Sequence, residues 1–345
     1  TLTDAQIKSY NENGYLVVEN VLSGEKLAEL RRETEAVIAG ASAVTANDDV
    51  YDLEDSHTPS NPRVRRIKNP FEHFRYFEGL ARDPDILTPL VSLLGPDIRF
   101  YGGKMNMKSA GYGAPVEWHQ DWAFYPHTND DVLATGILLD DCDESNGPLM
   151  VMPGTHKGPT YDHHHEGHFC GAMNPAMTSL DYSKAVPLTG KAGSMTIHHV
   201  RLVHGSAMNT SNRQRRLLLW EYAAADAWPL VGPKTPAAEY DSRIVLGRPP
   251  AQIRVREAPV RMPYPPAPHQ GSIYENQKDT GRRFFDTFED RQREARPCRR
   301  RVAHGTEDDT IDVDDTAEND EFVWLHTRMC LVFFSLIYMQ MQYPW

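Results

Sequence analysis

Trp118-His119-Gln120-Asp121-Trp122 puts two metal-binding residue types within two positions of each other. On a β-strand, residues i and i+2 leave the same face, so His119 and Asp121 could grip one ion together. A second cluster follows roughly eighty residues on: His204-Gly205-Ser206, then Arg215. His204 would complete a face of two histidines and one carboxylate, the ligand set of non-haem Fe(II) oxygenases. Arg215 would offer a planar cationic fork to a carboxylate.

Each residue has a plainer reading. His-x-Asp is a weak motif in a chain with 15 histidines, and an edge-strand histidine beside a surface carboxylate fits it equally well. His198 and His199 compete with His204 for the third ligand position. His163, His164, His165 and His168 form a dense run, in which His164-x-Glu166 imitates the His-x-carboxylate pair. That run lies in a Pro/Gly/Asp-rich loop, where histidines face water or a substrate entrance more often than a metal. Arg215 and Arg216 are adjacent, so alternation along a strand turns one inward, Arg215 with Leu217 and Leu219 or Arg216 with Leu218 and Trp220. An inward arginine without a carboxylate partner implies a bound anion.

The elements that would position these residues are legible in outline. Thr3-x-x-Gln6 is a capping box, Gly14-Tyr15-Leu16-Val17-Val18 reads as a buried strand, and Ser23 opens a helix striped by Leu27, Leu30, Val37 and Ile38 and stopped by Gly40. Residues 41–65 are polar and aperiodic, which predicts a mobile loop. Asp83-Pro84 opens a further helix closed by Gly95. Strands are expected near 97–108, 116–122, 132–140, 148–152, 193–204 and 216–224. Many short strands without helical crossovers predict a mainly β protein, a jelly-roll core over about 97–225 with helices from the N-terminal part buttressing one face.

The net charge of −12 argues against a nucleic-acid partner. Four scattered cysteines form no close pair, which fits reduced thiols and a cytoplasmic setting. The apolar run Met329–Met339 is too short to span a bilayer, so no membrane role is expected. Residues 1–279 are expected to form one catalytic domain. Residues 280–345 run from arginine-rich through acidic to apolar, and are expected to lie outside it.

Taken together, these motifs resemble the phytanoyl-CoA dioxygenase family of Fe(II)/2-oxoglutarate-dependent oxygenases over roughly residues 1–277. The resemblance rests on Leu2-Thr3-x-x-Gln6 with Gly14–Val18, on His119-Gln120-Asp121, on Glu144-Ser145-Asn146-Gly147-Pro148-Leu149 running into Met152-Pro153-Gly154-Thr155-His156, and on His204-Gly205-Ser206, Asn209, Ser211 and Arg215. It implies a double-stranded β-helix, cupin-like core, with His119, Asp121 and His204 as iron ligands. Arg215 and Ser206 would hold the far carboxylate of 2-oxoglutarate, with Lys104 and Arg66 or Lys68 lining that pocket. Where some relatives carry a pocket tryptophan, this chain has Ile137. The implied reaction consumes dioxygen and 2-oxoglutarate, releases succinate and CO2, and hydroxylates a small organic, acyl or terpenoid-like molecule. Trp122, Phe124, Tyr125, Ile137 and His199 are the candidates to line the substrate pocket. A zinc-dependent hydrolase and a non-catalytic jelly-roll binding protein are the competing readings. The first leaves Arg215 without a purpose; the second predicts ligand binding indifferent to chelators.

Overall fold

The computed structural model describes residues 1–233, 235–261 and 273–295. Its strands are β1 (Tyr15–Val18), β2 (Tyr51–Leu53), β3 (Val64–Lys68), β4 (Ile98–Lys108), β5 (Val116–His119), β6 (Val132–Leu138), β7 (Leu149–Val151), β8 (His164–His165), β9 (His168–Phe169), β10 (Val186–Leu188), β11 (Met195–His199), β12 (His204–Ser206), β13 (Arg215–Ala224) and β14 (Ile244–Leu246). Two antiparallel sheets result. The larger runs β1-β11-β6-β13-β4-β3-β2, with β14 added on β4, and the smaller runs β10-β7-β12-β5. This is a jelly roll of the cupin-like kind, and the β8–β9 hairpin stands apart from both sheets.

Alternation along the long central strands sorts their side chains. On β13, Leu218, Trp220 and Tyr222 join the principal apolar core together with Ile67, Met105, Ile137 and Ile197. Helices supply the other side of that core. The helix Asp4–Asn13 starts at the Thr3–Gln6 capping box. The helix Gly24–Gly40 buries Leu30 and Val37, although Ser23 makes no side-chain cap bond at its start. The helix Pro84–Leu94 buries Ile86, Leu87, Leu90 and Leu94 and is capped by the Asp83 carboxylate. The opposite face of β13 carries Arg215, Leu217, Leu219 and Glu221 toward the smaller sheet, where they line a cavity.

Two expectations need correcting. Residues 41–65 are not a loop throughout: β2 and the start of β3 lie there, paired to each other, and β3 continues the large sheet onto β4. The predicted strand 193–204 is two strands. It breaks after His199, and the chain crosses from the large sheet to the small one before His204. Past residue 279, Phe284 and Phe285 still pack on Trp118 of β5, with ring centroids 5.7 and 5.4 Å away. The acidic and apolar stretches that follow lie outside the described residues.

Candidate active site

β5 ends at His119, and Asp121 begins a short 3-10 turn, Asp121–Ala123. The two residues therefore do not share a strand face; the turn swings the carboxylate back beside the imidazole. Gln120, fully buried, fixes that turn. Its side chain donates to the carbonyls of Arg201 (2.8 Å) and Pro159 (3.1 Å) and accepts from the Tyr161 N–H (2.8 Å). The Gln120 N–H donates to Nε2 of buried His163 (2.8 Å), whose Nδ1 sits on the Tyr161 carbonyl. His163 is thereby a structural residue, and the histidine run supplies a turn anchor instead of a metal site.

On the neighbouring strand, β12 sets His204 directly opposite His119. Donor atoms of His119, Asp121 and His204 lie within 4.8 Å of one another, all three residues buried, and no other group of metal-binding side chains gathers this way among the described residues. Both Nε2 atoms are 3.7 Å from Asp121 Oδ1. Each Nδ1 lies on a carbonyl two residues earlier, His119 on Glu117 (2.7 Å) and His204 on Leu202 (2.9 Å). Those bonds place the proton on Nδ1 and aim the Nε2 lone pair at the site. Burial pushes the His119 imidazole down to about 4 and His204 well below the usual range, so both stay neutral, the form that binds metal.

Burial alone would raise the Asp121 carboxyl, but the rings of His204 and His198 offset it and hold the group low and ionised. Its second oxygen, Oδ2, is 3.4 Å from His198 Nε2, and the Tyr125 hydroxyl also bonds this carboxylate. Two neutral imidazoles and a steered carboxylate on one side of a cavity fit Fe(II).

A second set of charges lies deeper. Arg215 and Lys108 pair across β13 and β4. The Lys108 ammonium donates to Ser206 Oγ (2.8 Å) and to the Ala207 carbonyl. Arg215 donates to the Gly147 carbonyl (2.7 Å), and its Nε and Nη1 are buried without a partner. Burial, reinforced by the adjacent Arg215, pushes Lys108 well below its ordinary value. Arg216, on the other face, is satisfied by Asp140 and Glu35. Of the two adjacent arginines, Arg215 is the one with no carboxylate. Two buried cations around one hydroxyl call for an anion, and a carboxylate of 2-oxoglutarate has the charge and the shape.

Other candidates fall as follows. Lys104 lines the cavity but pairs with Glu221 (3.2 Å), away from the Lys108–Ser206 end. Arg66 and Lys68 sit one strand further out on β3, where Lys68 meets Asp52 at 3.4 Å. Tyr125 reaches the metal site through Asp121, whereas Trp122 packs against Tyr101 and bonds the Pro259 carbonyl. Phe124 meets the His119 ring edge-on at 6.0 Å. His199 points away, against Tyr10 and His156, and it is His198 that lines the cavity. Ile137 belongs to the core beneath the helices, while Gly136 faces Leu217 and Thr196 on the inner side. Lys108 and His198 were both findable: Lys108 follows Lys104 and Asn106 at period two on β4, and His198 is the inward partner of His199. Tyr274 was not, since it reaches the cavity from more than fifty residues beyond the last ligand-bearing segment.

The sequence also compares directly with known proteins. A profile of the phytanoyl-CoA dioxygenase (PhyH) family matches residues 10–217. The chain belongs to that family. It is 39% identical over 284 residues, 81% of this chain and 99% of the relative, to a probable alpha-ketoglutarate-dependent hypophosphite dioxygenase of Stutzerimonas stutzeri. It is 28% identical to the ectoine dioxygenase of Bordetella parapertussis, over 61% of this chain and 71% of the other. The fold matches EctD from S. alaskensis with bound Fe at a TM-score of 0.57 and 23% identity, covering 75% of this chain and 88% of that one. With the ligand set in place, this member of the family is a 2-oxoglutarate-dependent dioxygenase, a non-haem iron oxidoreductase. Among the described residues no helix is long and apolar enough to cross a membrane.

Proposed function

We propose that this enzyme oxidises a small phosphorus oxyanion, hypophosphite, to phosphite. What supports the reading is 39% identity along nearly the whole length of a probable hypophosphite dioxygenase, joined to a cavity whose lining includes Lys104, Lys108 and Arg215. The phytanoyl-CoA dioxygenase activity named by the family finds weaker support, since relatives of that name are only 27–28% identical over about two thirds of this chain.

His119, Asp121 and His204 would hold Fe(II), and Lys108, Arg215 and Ser206 the far carboxylate of 2-oxoglutarate. When bound, the metal and co-substrate together activate dioxygen: one oxygen atom enters succinate as CO2 leaves, and the other converts a P–H bond of hypophosphite to P–OH. The protein's own residues keep the ligand imidazoles neutral, aim one carboxylate oxygen at the metal, and neutralise the co-substrate deep in the barrel. Tyr274 and Ile273 close the cavity from outside, separating it from a surface cleft of about 650 Å³ that Tyr274 also lines.

The test is to supply the purified protein with Fe(II), 2-oxoglutarate and hypophosphite under air. Equimolar succinate and phosphite are expected, the latter read by phosphorus NMR, and His119→Ala should abolish both. Succinate formation that ignores hypophosphite but rises with ectoine, proline or an acyl-CoA would overturn the assignment.

A further inference from the structure

The cavity contains a part-buried ion pair that neither metal binding nor co-substrate binding uses. Lys104 on β4 and Glu221 on β13 meet at 3.2 Å, their side chains 20% and 6% exposed. Both line the cavity that holds His119 and Asp121. Glu221 stands in register with Ala134 of β6, and Ala134 with His198 of β11, so the pair and His198 form one side of the chamber in front of the metal ligands. The Lys104 charge is close enough to act on both His119 and Asp121. A buried ion pair is weak as a stability device, since matched apolar side chains do as well or better there.

The charges lining the cavity can be balanced. With Lys108 protonated against the co-substrate carboxylate, Lys104, Lys108 and Arg215 stand against Asp121 and Glu221, leaving one positive charge, with the ligand imidazoles neutral. Fe(II) adds two positive charges and 2-oxoglutarate removes two. The loaded chamber therefore keeps a single positive charge, and uncompensated charge in a buried site is costly. A monoanion cancels it; a dianion overshoots, and a neutral molecule leaves it in place.

We propose that Lys104 is the substrate anchor, binding a monoanionic oxyanion in front of the metal, and that Glu221 sets the charge limit that admits hypophosphite and disfavours doubly charged phosphite. Hypophosphite carries one charge. Phosphite at mildly alkaline pH carries two, so Glu221 repels the reaction product more strongly than the substrate. The proposal rests on the hypophosphite reading and assigns substrate selection and product release to one ion pair.

The test is anaerobic calorimetry on the whole protein loaded with Fe(II) and 2-oxoglutarate, titrated with hypophosphite or with phosphite at mildly alkaline pH. Lys104→Gln should weaken hypophosphite binding at least about tenfold, while the Kd for 2-oxoglutarate stays within about twofold, with partial recovery in Lys104→Arg. Glu221→Gln should tighten phosphite relative to hypophosphite and deepen product inhibition. The unchanged 2-oxoglutarate Kd shows in each case that the variant is folded. Hypophosphite binding that is intact in Lys104→Gln, or a phosphite preference unmoved in Glu221→Gln, would overturn the anchor and leave the hypophosphite reading standing. No hypophosphite binding to the wild-type complex would overturn both.

Discussion

Asp121 shows how much a single side chain depends on its neighbours. Oδ2 lies beside His198 while Oδ1 faces His119 and His204, and the Tyr125 hydroxyl bonds the same carboxylate. The sequence picked out His119, Asp121 and His204, but by an argument the structure replaces: a shared strand face was expected, and a turn pinned by Gln120 brings them together. The choice between Arg215 and Arg216 needed the structure because both are buried. What separates them is partners, which depend on Asp140 and Glu35 far away in the chain. Lys108→Met should raise the 2-oxoglutarate Kd about ten- to a hundredfold, the range for losing a charge-assisted hydrogen bond, and leave iron affinity unchanged; titration under nitrogen reads both.

Protonation gives a second prediction at this scale. Burial lowers His119 to about 4 and both His163 and His199 to about 3, from 6.5 in the unfolded chain. Between those values the unfolded chain binds protons that the folded one refuses, so the metal-free protein loses stability as pH falls through that window. The slope is about 1.4 kcal/mol per pH unit for each such histidine. Melting temperatures in chelator across that range should fall steadily, and His163→Gln should flatten the decline; a constant melting temperature would contradict it.

Among the elements, strand and helix positions were the most legible feature, because alternation and caps are local. What pairing does was less so. β2 and β3 lack a strong period, since they carry the charged residues Asp52, Arg66 and Lys68 toward one end of the large sheet, and the polar pattern there imitates a loop. The strap after residue 273 gave no local signal. It is held by Gln277, whose side chain accepts from the Glu117 N–H (2.9 Å) and donates to the Gly171 carbonyl (2.9 Å), and by the Glu117 carboxylate, which accepts from the N–H groups of Phe284 and Phe285. Gln277→Ala should cost about 1–3 kcal/mol and speed hydrogen exchange in residues 273–285 before any other segment. Gly193, at φ +86°, lies where an added Cβ would come within 1.9 Å of the Leu22 carbonyl oxygen, so Gly193→Ala should displace β11 and with it His198; loss of folded protein by circular dichroism checks it.

At the level of the whole molecule, the described structure continues past residue 279 to 295. A chain stopped there should bind Fe(II) and 2-oxoglutarate as the full protein does, whereas one stopped at 279 should bind both less tightly, having lost the Phe284–Phe285 contacts to the strand that bears His119. Fold class was readable because many short strands without crossovers admit few architectures. The packing just past residue 279 was less legible, because an arginine-rich segment looks solvated until Trp118 is seen beneath it. The Lys108–Arg215 pair has one further consequence. Two like charges held together in a barrel work against the fold until a dianion joins them, so the co-substrate is also a folding ligand. The lifetime of this enzyme in a cell should then track central carbon supply: starved of 2-oxoglutarate, the protein would be idle and also the more readily unfolded and degraded.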